Sequence, residues 1–123
     1  WEELEEPTAA YPLTAEEFDL ICRVVASEAR SEDLQGQMAV ANVILDRAVL
    51  WDMTVTDVVT APGQFAEAYS GEISDETRLA VSNVFEGGVR VFQEPVTHFA
   101  EGEPYWAEGK ACRGSIGRHQ FWY

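Results

Sequence analysis

The stretch that decides the fold runs from Leu20 to Arg30 and reads LICRVVASEAR. Apolar residues at Phe18, Ile21, Cys22 and Val25 recur at helical spacing, which predicts an amphipathic helix with one inward stripe. The next positions on that stripe are Glu28 and Ala29, so a carboxylate continues an apolar face. An unpaired buried charge is expensive. Glu28 must therefore be paired, stay half in water, or hold its proton near neutral pH. A carboxylic acid that keeps its proton can serve as a general acid. From the residues alone, Glu28 is either that acid or a structural carboxylate paired with Arg47 or Arg30.

Working outward, Thr14 with Glu17 three residues on forms a capping box that starts this helix, and Arg30 ends it. Ser31 to Leu34 reads as a polar turn. A second helix covers about Gln35 to Leu50, with Val40, Val43, Ile44 and Arg47 at helical spacing. Small residues Gly36, Ala39 and Ala41 allow it to pack closely. Asn42 and Asp46, four apart on it, are expected to cap or bridge helices. Thr54 to Thr60 reads as a short helix ended by Pro62-Gly63, which sets Gln64 and Phe65 in a loop. Another helix, about Asp75 to Glu86, is capped by Ser74 and stopped by Gly87-Gly88.

Beyond that the texture changes. Val96 to Ala100 and Ser115 to Tyr123 read as two short strands, the second carrying Gly117, His119, Phe121 and Tyr123 on one face. The expected class is α+β, mainly helical, with a small β element near the C-terminus. Residues 1–12 are an acidic, linker-like lead-in without periodicity, and 13–123 form one domain.

At 123 residues with 46% hydrophobic composition, the chain has room for one real core. No apolar run reaches the length of a membrane span. The start, WEELEEP, is acidic where a signal peptide would be basic, so no signal sequence is expected in this stretch. The net charge of −14 argues against nucleic acid or an anionic membrane surface as partner. Cys22 and Cys112 form either one disulfide or, the commoner reading, a buried thiol and a loop thiol. Neither has a CxxC partner, and no HExxH or other tight ligand spacing is present, so neither metal nor cofactor is expected.

Several separated segments now carry a resemblance: SEAR at 27–30, GQMAVANVILDR at 36–47, PGQF at 62–65, THF at 97–99, PYWA at 104–107 and IGRHQFWY at 116–123. Their order and spacing resemble the cell-wall hydrolase family that includes the SleB-like and CwlJ-like spore cortex-lytic enzymes. The resemblance covers about Leu20 to Tyr123. It implies a lysozyme-like, lytic-transglycosylase-like domain acting on the glycan strands of peptidoglycan, outside the cell or at its envelope, the spore included. It places the family's general acid on Glu28 and a candidate second carboxylate on Glu32. The chain departs from the family at Ser31, where many members have glycine, and at Ala100, where a histidine is usual.

Glycosidic cleavage needs a proton for the leaving oxygen and support for an oxocarbenium-like transition state, and hydrolases usually add a second carboxylate. A lytic transglycosylase uses one residue as acid and then as base. Only Glu28 lies on a buried face, since Glu32 falls in the polar turn, so the transglycosylase variant is favoured over a muramidase. Candidate substrate-binding residues are Gln64 and Phe65, the aromatic pair Tyr105 and Trp106 as a sugar-stacking platform, and His119. Each has a plainer reading, as a loop or core residue. His98 reads as structural, and Ser27 has no nucleophile-elbow motif.

Two other classes fit parts of the sequence. One is a metal-dependent cell-wall amidase using His98, His119 and an acidic residue. The other is a non-catalytic glycan-binding module, for which a carboxylic acid on the apolar stripe has no purpose. A regulatory partner protein is also compatible with the chain.

Overall fold

The structure, a computed structural model, describes residues 11–101, 112–116 and 119–122. Tyr11, the first described residue, already packs on the folded body. The Tyr11 N–H donates to the Phe85 carbonyl at 2.7 Å, and the two rings meet edge-on at 5.9 Å.

Helix α1 spans Ala15–Ala29, with Thr14 as N-cap and the full capping box to Glu17. Such a cap is worth about 1 kcal/mol. Helix α2 spans Leu34–Leu50 with Asp33 as N-cap, α3 spans Val55–Thr60, and α4 spans Asp75–Phe85 behind the Ser74 cap. The stripe of α1 is inward, with Ile21, Cys22 and Val25 buried and Phe18 packed against them.

Helix α2 is more than a one-sided stripe. Every residue from Gly36 to Ala48 is buried, which makes it the central helix. One side packs with α1, α3 and α4, and the other carries Ala39 and Val43 into a second cluster with Val96 and Phe121 of the sheet region. The helix can come this close to the α1–α2 turn only because residue 36 is glycine. A Cβ there would sit 2.7 Å from the Cβ of Glu32.

Burying α2 all round also buries polar side chains, and each reaches a partner far along the chain, although Asn42 Nδ2 is buried without one among the described residues. Gln37 donates to the Glu32 carbonyl and to Glu76, and accepts from the Thr77 hydroxyl. Asn42 accepts from the Val91 N–H, and Asp46 from Arg90 and the Val96 N–H. Asn42 and Asp46 therefore tie the helix to the irregular 90–96 segment, not to another helix as their i, i+4 spacing suggested.

The last stretch corrects a second expectation. Residues 115–123 are not one strand. Strands β1 (His98–Glu101), β2 (Cys112–Ile116) and β3 (His119–Trp122) form an antiparallel sheet in the order β1-β3-β2. Ile116 pairs with His119, so only residues 117 and 118 separate β2 from β3. Register shifts between Cys112 and Gly114, where glycine takes φ +143° and a Cβ would press on the Phe92 ring at 3.2 Å. Gly117 and Tyr123 lie outside the described residues.

Both cysteines are free, Cys22 buried and Cys112 exposed. Burial pushes the Cys22 thiol from 9.0 up to about 12. Only the thiolate reacts. With a disulfide reagent at pH 8, Cys112 is expected to react at once and Cys22 at the rate of unfolding; two fast thiols would contradict the packing. Because the folded chain keeps the Cys22 proton longer than the unfolded chain, this thiol's contribution to stability is lost as pH rises from about 9 to about 12.

Candidate active site

The last turn of α1 brings Glu28 to the surface edge of the core, half-buried beside buried Val25 and Ala29. Its Oε2 accepts a hydrogen bond from the Ala66 N–H at 2.7 Å. Of the three fates open to a carboxylate on that stripe, the structure thus combines partial hydration with a hydrogen-bonded partner.

Ala66 belongs to an irregular loop that is stitched along one edge of α1. The Ser27 hydroxyl donates to the Glu67 carbonyl. Arg23 Nη1 donates to the carbonyls of Tyr69 at 2.9 Å and Gly71 at 3.0 Å, and the Tyr69 N–H returns a bond to the Arg23 carbonyl. The Arg30 guanidinium lies 4.3 Å from the Tyr69 ring centre. These contacts hold the loop, and with it the amide that touches Glu28. Between α1, α3 and the same loop runs a cleft of about 300 Å³, lined by Leu20, Val24, Val59, Phe65 and Ala66 among others. Glu28 borders the loop but is not part of that lining.

A buried cation organises the other side. Arg47, 4% exposed, donates from Nε to the Thr97 carbonyl at 2.7 Å and from Nη1 to Gln64 Oε1 at 3.3 Å. Its guanidinium carbon is 4.9 Å from the Phe65 ring centre and 5.0 Å from that of Trp51. Burial pushes Arg47 down to about 10, and the Glu28 carboxylate partly offsets the shift by favouring the charged form. The Gln64–Ala66 segment thus touches both groups, Gln64 on Arg47 and Ala66 on Glu28. Among the described residues no three His, Cys, Asp or Glu side chains converge as a metal site would require.

The profile of the cell wall hydrolase family matches residues 31–122, most of the chain. The chain belongs to the cell wall hydrolase family. A spore cortex-lytic enzyme of Oceanobacillus iheyensis is 36% identical to this hydrolase domain over 77 residues, 58% of this chain and 28% of that protein. The chain therefore spans under a third of that relative. The catalytic domain of the Bacillus cereus SleB protein superimposes with a TM-score of 0.81 at 22% identity, covering 94% of this chain and 97% of that one. The catalytic domain of the germination-specific lytic transglycosylase SleB from Bacillus anthracis gives 0.79 at 22%, covering 90% and 97%. The mainly helical α+β architecture with its small sheet is thus the fold of these catalytic domains. Glu28 lies just ahead of the matched segment, on the helix that leads into it.

In this member of the family the candidate residues separate. Gln64 is exposed and Phe65 half-buried, both against Arg47, and Ala66 beside them touches Glu28. Glu32 is half-buried in the turn after α1, where its backbone bonds to Ala29 and Gln37. The helix has ended by then, so i+4 spacing does not bring Glu32 onto the Glu28 face. His119 is 8% exposed, with its ring edge-on to Phe99 at 5.2 Å and near Phe121. Tyr105 and Trp106 lie outside the described residues. What sequence reading missed is the Ala66 N–H, a backbone donor with no side-chain signature. Its one cue was its place directly behind the Pro62-Gly63 turn.

Proposed function

We propose that this domain cleaves the glycan strands of peptidoglycan as a lytic transglycosylase, with Glu28 as general acid and then base. One observation carries the reading: a single half-exposed carboxylate ends the buried stripe of α1 and is held by the Ala66 N–H at 2.7 Å. Glu28 gives its proton to the glycosidic oxygen as that bond breaks, while positive charge develops at the sugar ring. The carboxylate left behind keeps the Ala66 hydrogen bond and so stays in position. It then takes the proton of the muramic acid 6-hydroxyl as that oxygen closes on C1. The product is an anhydro ring, and no water is consumed. Gln64, Phe65, Tyr105, Trp106 and His119 are proposed substrate contacts, the first two because they flank the donor to Glu28.

Mass spectrometry of products from purified peptidoglycan tests this. Anhydro-muramic ends are expected; reducing ends would replace the reading with a muramidase and turn attention to Glu32. Release of stem peptides, abolished by chelator, would favour an amidase instead.

The −14 charge selects among walls. Stem-peptide carboxylates repel this protein, whereas spore cortex, with many stems missing and muramic lactam in place, repels it less. Cortex is the proposed substrate, and the envelope of a spore the proposed setting. At low salt, cleavage of cortex is expected to outpace cleavage of peptide-rich wall. The gap should narrow as ionic strength screens the repulsion. Faster cleavage of the peptide-rich wall at matched low salt would refute the assignment.

A further inference from the structure

We propose that Trp51 is a stacking platform for a sugar of the glycan strand beyond those that reach Glu28. The inference rests on the glycan-cleaving reading above. Trp51 ends α2 and is 43% exposed, next to exposed Val49 and Leu50. Its conformation is set, not loose. The Met53 N–H reaches back to the Ala48 carbonyl at 3.0 Å, and Asp52 takes the left-handed conformation at φ 53° that this helix ending requires.

The indole is braced from the protein side. The Arg47 guanidinium lies over it at 5.0 Å, and the His98 ring meets it at 6.1 Å with an interplanar angle of 60°. A tryptophan with one face on a buried cation and much of its surface in water has the form of a carbohydrate contact. Sugars present C–H faces to aromatic rings, and a rigid ring loses little entropy on binding.

Continuity with the acid picks the occupant. Trp51 touches Arg47, Arg47 touches Gln64 and Phe65, and Ala66 beside them donates to Glu28. The Arg47 guanidinium thus lies between the two aromatic contacts, 5.0 Å from the Trp51 ring centre and 4.9 Å from that of Phe65. A glycan strand that reaches Glu28 past Phe65 can extend onto Trp51. Stacking on the uncharged pyranose faces is also the kind of contact that a protein of this net charge can make with a polymer whose side groups repel it.

The experiment compares wild type, Trp51→Ala and Trp51→Phe on peptide-free glycan strands of graded length, down to the shortest strand that wild type cleaves. For Trp51→Ala, KM on long strands is expected to rise about tenfold with kcat nearly unchanged. The shortest strand should be cleaved as by wild type, and Trp51→Phe should recover most of the loss on long strands. Equal kinetics of all three proteins on long strands would overturn the platform while leaving the glycan-cleaving activity standing. Equal losses on long and short substrates, with lowered thermal stability, would assign Trp51 to the fold and overturn it too. A change in oligomeric state with cleavage unaltered would give the patch to a second copy of the chain. A wild type that cuts no glycan would overturn the activity itself, and the platform with it.

Discussion

Glu28→Gln is expected to lower glycan cleavage by about a thousandfold or more while leaving the fold and glycan binding intact. The amide is nearly the same shape as the carboxyl group, and its oxygen can still accept from the Ala66 N–H, so the loop geometry survives. What disappears is the proton for the leaving oxygen and the base for the second step, and a positioned acid–base group contributes about 10²–10⁴-fold. Glu28→Asp keeps the acid but withdraws it by one methylene, away from both Ala66 and the reacting bond. A loss of about a hundredfold is expected, since misplacement alone is costly. Glu32→Gln is the contrasting variant and should retain most activity, because Glu32 sits in the turn beyond the end of α1. Rates on peptidoglycan, thermal melting and pull-down on insoluble glycan measure all three proteins. Full activity in Glu28→Gln would sink the assignment, and an equal collapse in Glu32→Gln would make the enzyme a two-carboxylate hydrolase.

Which parts of this were legible in the sequence follows from how far each interaction reaches along the chain. Caps are local: Thr14 and Glu17 bond across three residues, as do Ser74 and Thr77, so the helix starts could be read directly. The α1 stripe is local too, and it led to Glu28. The environment of α2 is not local. Asn42 meets Val91, Asp46 meets Arg90, and Arg47 meets Thr97, each across 44 to 50 residues. A periodic stripe of apolar residues shows one buried face of a helix. It cannot show that polar residues on the other face are buried as well, because their partners lie in a segment with no periodicity. The same limit applies to the site, since Ala66 contributes only its backbone N–H. At the C-terminus the alternation of Gly117, His119, Phe121 and Tyr123 reads as one short strand from Ser115 to Tyr123. Alternation is blind to a break inside the run, and here β2 ends at Ile116 and β3 begins at His119.

That dependence on distant partners makes Asp46 the residue whose loss should damage the fold most. Asp46 is 7% exposed, and both of its oxygens are engaged. Arg90 Nη1 and Nη2 donate to them at 2.9 and 2.7 Å, and the buried Val96 N–H donates at 2.9 Å. Arg90 in turn donates to the Phe92 carbonyl at 2.8 Å, so one carboxylate orders the whole 90–96 segment. Val96, fully buried, leads into Thr97, whose carbonyl holds Arg47, and then into β1. Asp46→Ala leaves a buried N–H without an acceptor and a half-buried guanidinium without its counter-charge, which costs about 3–5 kcal/mol. For a domain of this size that is a large share of the total stability, and Tm should fall by about 10–20 °C. Asp46→Asn retains an acceptor for Val96 and should cost less. Arg90→Met should be severe alone, yet add little to Asp46→Ala, because the two residues form one unit and double-mutant cycles expose such coupling. Urea titrations of the four proteins give the free energies. Additive losses would show that Asp46 acts through Val96 alone, and a stability change below about 1 kcal/mol in Asp46→Ala would mean that the 90–96 segment is held by its apolar contacts. The expected non-additive loss would instead tie the frame of the active site to one buried carboxylate. Through Val96 and Thr97, that carboxylate holds Arg47, which bonds Gln64 two residues from the Ala66 N–H that holds Glu28.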